Sequence, residues 1–287
     1  MTGSGTENDP YICDTWEELI SVSTAKSVHI RMSGNQIFDF NEIQPLGFDS
    51  QVNLSGQINF NGCILKNFYS KSLRAVYILN GTSWQNLSFE NFYQQATSSS
   101  SSENAGFLYT DAGSSAIKIT NCKFYGKVNY GIYSTKKAVV FYSANYRTLQ
   151  FEQCSFSLEC SCTSGIFSLF NAGFLKNCNV RFVINSRNAV IFSSNESTVN
   201  YALNSLFDGK INVSDMTGSI LSGGNLSGYN VYRVQANAPI QYTGAGVSVF
   251  NRDLSPDTQG YGTFVGCTSE QLKNAEYLYS VGFPCYR

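Results

Sequence analysis

Asn121-Cys122-Lys123-Phe124, Gln153-Cys154-Ser155-Phe156 and Asn177-Cys178-Asn179-Val180 are three spellings of one pattern. In each, an amide-bearing residue precedes a cysteine, and an aromatic or branched apolar residue stands two places beyond the cysteine. Gly62-Cys63-Ile64-Leu65, Asn86-Leu87-Ser88-Phe89 and Asn204-Ser205-Leu206-Phe207 repeat it with substitutions, and Gly228-Tyr229-Asn230-Val231 is a degenerate seventh copy. Steps between the second positions are 24, 35, 32, 24, 27 and 24 residues. The minimum recurs three times, so the longer steps read as 24 plus an insertion. The step of 35 contains the run Ser98 to Ser102, a low-complexity tract suited to a solvated loop.

Between these copies lies a second motif, a small residue followed by an apolar triplet. It begins at Ala75, Gly106, Ala138, Gly165, Ala189 and Gly218. The runs are short, β-branched or aromatic, and bounded by Asn, Gly and Ser, as strands are. No long amphipathic helix interrupts the middle of the chain. A period of about 24 residues built of short strands suits one turn of a solenoid, with three parallel strands per turn. Each strand would bond to its copy one turn above and below, which satisfies the backbone groups between turns. Inward positions then stack like on like. Cys63, Cys122, Cys154 and Cys178 become a column of buried thiols, read as apolar core rather than metal or redox chemistry. The phenylalanines two places on become a second column.

On these residues the chain resembles the right-handed parallel β-helix proteins. These include pectate-lyase-like folds and the shafts of bacteriophage tailspikes, fibres and other virion appendages. The resemblance runs from about Val28 to about Val265. It implies an all-β fold, a single right-handed parallel β-helix of about 24 residues per turn with short capping helices at both ends. The expected organisation is an N-terminal segment and capping helix over 1–27, the β-helix over 28–265, and a C-terminal capping helix and tail over 266–287.

The ends support that division. Asp14-Thr15-Trp16-Glu17-Glu18-Leu19-Ile20 carries a capping-box pattern, and Trp16, Leu19 and Ile20 give the following helix one apolar face. Thr268-Ser269-Glu270-Gln271 opens a second helix that Gly282 and Pro284 stop. There Leu272, Ala275, Leu278 and Tyr279 are expected to seal the last turn. The opening Gly3 to Tyr11 and the closing Ser-Glu-Gln-Leu-Lys-Asn are similar to the flanks of microbial and phage β-helix proteins.

Composition narrows the function. The 287 residues hold 19 basic and 20 acidic side chains, a net charge of −1, so no strong field is available for a polyanion and nucleic acid is not an expected partner. The N-terminus shows neither a basic n-region nor an apolar h-region, and no stretch of about 18 apolar residues suggests membrane insertion. Nine cysteines, an odd number without a zinc spacing, fit thiols kept reduced in a cytosol. The six Asn-x-Ser/Thr triplets read as accidents of an Asn- and Ser-rich chain.

Candidate chemistry is sparse. Asp111, Glu152, Glu159, Glu196, Asp208 and Asp215 are the interior acids. No two form a close motif, although Glu152 and Glu159, and Asp208 and Asp215, are each seven apart. They read as solvated carboxylates rather than a hydrolytic pair. His29, the single histidine, has no nucleophile elbow to serve and reads as a strand residue. No catalytic, cofactor-binding or metal residue is assigned. Tyr125, Tyr130, Tyr133, Tyr142 and Tyr146 cluster in the two longest repeats. They read first as stacked rungs beside insertion loops, and otherwise as a glycan or subunit contact.

The resemblance therefore points to a non-enzymatic structural virion protein of a bacteriophage, made in the host cytoplasm: a β-helical spike, fibre or capsid-attached decoration that presents loops for attachment. It implies a homo-oligomer, by analogy a trimer, together with other capsid or tail proteins and possible contact with host surface glycan. The alternatives are a polysaccharide-degrading, tailspike-like enzyme and a bacterial surface adhesin.

Overall fold

The corner of each turn explains the repeat. In the computed structural model the residue before each inward position adopts the left-handed conformation, with φ of 59° at Asn86, 51° at Asn121, 56° at Gln153, 55° at Asn177 and 51° at Asn204. Asn reaches this region at low cost because its short amide bonds locally. One such residue turns the chain from one strand directly into the next. The amides also stack: Asn121 Nδ2 donates to Asn86 Oδ1 at 2.8 Å, and Asn86 Nδ2 donates to Asn59 Oδ1 at 3.1 Å.

The structure describes residues 1–98, 104–111, 115–132, 138–144, 149–171, 173–193, 201–215, 220–222, 229–254 and 256–283. Among them the strands form an all-β parallel β-helix of two sheets, one of eight strands and one of sixteen. All named strand pairs are parallel; the isolated bridge Thr2–Ile12 is antiparallel and closes the outer edge of strand Tyr11–Cys13. The eight-stranded sheet makes one face, running from Tyr11–Cys13 to Tyr201–Leu203. The larger sheet makes the other two faces. In early turns these faces are separate strands, such as Ile64–Lys66 and Arg74–Tyr77. Later the chain runs round both without a break, as in Ser155–Asn171 and Asn179–Ser193.

Register stacks the inward positions as the repeat requires. Ile64 pairs with Ser88, Ser88 with Lys123, Lys123 with Ser155, Ser155 with Asn179 and Asn179 with Leu206. One residue earlier, Cys63, Leu87, Cys122, Cys154, Cys178 and Ser205 therefore form one column, each at most 4% exposed. One residue later comes the ring column. Phe89 stacks on Phe124 at 5.7 Å, Phe124 on Phe156 at 5.4 Å, and Phe207 on Tyr232 at 4.7 Å. A third column, on the next face, stacks Phe141 on Phe170 at 5.2 Å and Phe170 on Phe192 at 5.5 Å.

The structure departs from a uniform repeat in three ways. The seventh copy is slipped by one residue: Leu206 pairs with Val231, which places Asn230 rather than Tyr229 in the inward column. The second motif marks strands but not register. Val76 lies beside Leu108, and Leu108 beside Phe141, at different offsets from Ala75, Gly106 and Ala138, because the corners between faces differ in length. The solenoid also narrows. Val231 pairs with Val249 and Val249 with Val265, steps of 18 and 16 residues, after the eight-stranded sheet has ended.

The ends differ. Helix Trp16–Val22 is capped by Thr15, whose Oγ1 accepts from the Glu18 amide at 3.2 Å, and it buries Trp16 and Leu19. Trp16 meets the Phe40 ring edge-on at 4.9 Å. At the other end the capping box forms reciprocally, with the Gln271 amide donating to Thr268 Oγ1 at 3.1 Å and the Thr268 amide to Gln271 Oε1 at 2.8 Å. It opens only a 3-10 turn, Gln271–Lys273. Asn274 is extended and starts a separate six-residue helix, Ala275–Ser280, none of whose residues is buried. The expected seal by Leu272, Ala275, Leu278 and Tyr279 is not made: Tyr279 is 73% exposed and Ala275 is exposed, while Leu272 and Leu278 are half-buried. The break at Asn274 splits the helix and rotates its apolar positions off one face.

Candidate surface groove

The inward column carries its own polar chemistry. At each corner the amide of one turn points at the side chain of the next. The Cys122 amide meets the Cys154 sulfur and the Cys154 amide meets the Cys178 sulfur. The Cys178 amide donates to Ser205 Oγ at 3.2 Å, and the Ser205 amide to Asn230 Oδ1 at 3.1 Å. The thiols donate back to carbonyls two residues earlier, Cys122 to Thr120 at 3.3 Å and Cys178 to Lys176 at 3.4 Å. Cys, Ser and Asn interchange here because each is small and each offers an acceptor. Burial and the neighbouring sulfur hold the Cys154 thiol above its ordinary range, and the Cys154 contact followed by burial does so for Cys178.

The outward positions form the groove. The third residue after each column residue faces out, giving Tyr125, Ser157, Arg181, Asp208 and Arg233 in register on adjacent strands. Two places on lie Lys127, Glu159, Val183 and Lys210. An open groove of about 860 Å³ runs across these strands, lined by Tyr125, Lys127, Glu159, Arg181, Val183 and Asp208 among others. Its shape comes from a lost bulge. Strand Ser88–Ser98 carries the extra residue Asn91 at φ 55°, and the register shifts there against the next turn. The following strands lack it, and the positions in register with Phe92 are Gly126, Leu158, Phe182 and Gly209. A Cβ on Gly126 would lie 2.3 Å from the Phe92 carbonyl oxygen, and one on Gly209 2.3 Å from that of Phe182.

The acids are placed apart, each with its own partner on a neighbouring turn. Lys127 Nζ lies 2.7 Å from Glu159 Oε2, Lys176 Nζ 2.7 Å from Glu152 Oε1, Arg187 Nε 3.5 Å from Asp215 Oδ2, and Arg233 Nε 3.9 Å from Asp208 Oδ1. Asp111 accepts from the Tyr77 hydroxyl at 2.9 Å. Glu159 and Asp208 share the groove; Glu152 lies on the other sheet. Glu196 is outside the described residues. His29 is half-buried in strand His29–Met32, and its amide donates to Gly5 O at 2.9 Å.

The three described tyrosines of the five, Tyr125, Tyr130 and Tyr142, lie in different surroundings. Tyr125 is half-buried in the groove wall. Tyr130, five residues on and so on the opposite side of the strand, is fully buried, with its hydroxyl donating to Gln94 Oε1 at 2.7 Å. Tyr142 stacks on Tyr109 at 4.8 Å on another face, in a pile continued by Tyr77, and the Arg74 guanidinium lies 4.1 Å from the central Tyr109 ring. Tyr133 and Tyr146 lie outside the described residues. Sequence reading missed Lys127, Ser157, Arg181 and Val183 as groove residues. A signal was present: Tyr125, Ser157, Arg181 and Asp208 share one offset from the inward column.

Among the described residues no three His, Cys, Asp or Glu side chains are arranged to hold a metal ion, and no helix is long and apolar enough to cross a membrane. No protein-family model, curated protein or solved structure matches the chain.

Proposed function

We propose that this chain is a non-enzymatic structural protein of a bacteriophage virion, a β-helical spike, fibre or capsid-attached decoration that presents its outward side chains and loops for attachment. One observation carries this reading: the strands hydrogen-bond turn on turn from Tyr11–Cys13 to Gln259–Cys267, so the described chain is spent on building a stiff stack. The acids serve the same end as ties between neighbouring turns, each worth about 0–1 kcal/mol. A trimer would place three such stacks side by side, alongside capsid or tail partners, with Tyr125 and the charged groove available to host glycan. Light scattering on the eluting protein should give about three times the 31.7 kDa chain mass, and labelled protein should adsorb to cells of the host strain and slow phage adsorption. Failure of adsorption together with failure to locate the protein on particles by immunogold labelling would sink the proposal.

A second reading, cleavage of a surface polysaccharide, draws on Glu159 and Asp208 in the groove beside Tyr125. It predicts shortening of host capsular glycan that Glu159→Gln and Asp208→Asn abolish. Intact glycan after prolonged incubation with the native protein dismisses it.

A further inference from the structure

Three successive turns place cysteine in the same inward column. Strand register aligns Cys122 with Cys154 and Cys154 with Cys178. Neighbouring strands lie about 4.8 Å apart, inside the roughly 4.4–6.8 Å Cα separation that a disulfide spans. The Cys154 thiol itself donates to the Ile119 carbonyl at 3.3 Å, and the neighbouring cysteines on both sides perturb it. Strand register sets the other described cysteines beside residues other than cysteine, Cys267 beside Asn251. Leu87 separates Cys63 from Cys122; Cys160 lies between Val128 and Ile184, Cys162 between Tyr130 and Ser186, and Cys13 beside Met32. Cys122 and Cys178 are two turns apart, about 9.6 Å, which is too far to bridge.

We propose that this column is a latent inter-turn staple: Cys154 closes a disulfide with Cys122 or with Cys178, one at a time, when the folded protein meets a thiol oxidant. With a disulfide oxidant such as oxidised glutathione, the Cys154 thiolate attacks a glutathione sulfur and releases one reduced glutathione. The thiolate of the neighbouring cysteine then attacks the Cys154 sulfur of the mixed disulfide and releases the second. Two S–H bonds are lost, one S–S bond forms, and the oxidant takes up the two electrons and two protons. Because the three cysteines are at most 4% exposed, the step waits on local opening of the corner. The protein is thus assembled reduced and locked after it reaches an oxidising medium. Either bond closes one turn of the solenoid on itself, so the staple restrains the unfolded chain and acts along the stacking axis.

The full chain, reduced and then incubated with excess oxidised glutathione, should lose about 2 Da per molecule, the mass of two thiol hydrogens. Trypsin cuts at Lys118, Lys123, Arg147, Lys176 and Arg181, which puts the three cysteines on separate peptides; the Cys154 peptide also holds Cys160 and Cys162, so fragmentation of the joined peptides assigns the bonded sulfur. Unreduced digests should yield the Cys154 peptide joined to that of Cys122 or Cys178. The midpoint of thermal unfolding should rise by roughly 5 °C. Cys154→Ser, which places in this column the residue type that Ser205 already supplies, should fold and show neither the mass loss nor the shift. A folded Cys154→Ser that still forms an intramolecular disulfide, or native protein that links other cysteines while Cys154 stays reduced, overturns the proposal.

Discussion

Single residues are constrained most where two turns touch. Gly126 is one such place: its missing Cβ is what lets Phe92 approach. Gly126→Ala should destabilise by about 2 kcal/mol in urea unfolding, whereas Gly34→Ala, with nothing within 4 Å of the added carbon, should be close to neutral. Equal effects at the two sites would remove the packing argument. Gln153 is the one corner amide that is not asparagine in the series from Asn86 to Asn204. Gln153→Asn should stabilise by roughly 0.5 kcal/mol, because Asn tolerates the left-handed region better. Asn230 follows Ser205 in the inward column and is itself followed by Ser248; it accepts from the Ser205 amide and donates to the Ala202 carbonyl at 2.7 Å. Asn230→Leu leaves both buried groups unpaired and should cost about 2–4 kcal/mol, more than Ser205→Ala at about 1–2 kcal/mol, both read from denaturant midpoints.

At the level of elements, the first turns depend on a carboxylate. Asp39 accepts from Asn67 Nδ2 at 2.8 Å and from the Asn41 amide at 3.0 Å, with Lys66 beside it, and these hold its pKa below the ordinary value. A depressed folded pKa contributes stability above the unfolded value, near pH 4, and loses it as pH falls through the folded value. Amide protection relative to the intrinsic exchange rate in Ile37–Asp39 and Ile64–Lys66 should therefore fall below about pH 4, and Asp39→Asn should flatten that dependence. Helices were legible to different degrees. Asp14 or Thr15, answered by Glu17 or Glu18, announced the N-terminal helix, because capping is local and the Trp16 face had a core to meet. Thr268 and Gln271 announced a capping box that forms, but the helix beyond it breaks at Asn274. A cap fixes where a helix can begin; how far it runs depended here on packing that the last, narrowed turns do not provide.

Across the whole molecule, the corner motif and the two inward columns could be read from the chain alone. Asn-Cys-x-Phe recurs because every turn presents the same bend and the same interior to its neighbour, so like residues must follow one another through the stack. Cys63 to Ser205 and Phe89 to Phe207 are the consequence. The slip at Asn230, the register of Val76, Leu108 and Phe141, and the narrowing after Val231 could not be read this way. They depend on how many residues each corner spends, and no local pattern records that count. The groove belongs to the same class. Tyr125, Glu159, Arg181 and Asp208 are scattered through 84 residues and meet only because four strands lie side by side in one register. Sequence alone determined the coil and its interior, since burial in a repeating stack restricts residue type turn after turn. Tertiary structure alone decided which outward side chains become neighbours, since solvent places no such restriction on them.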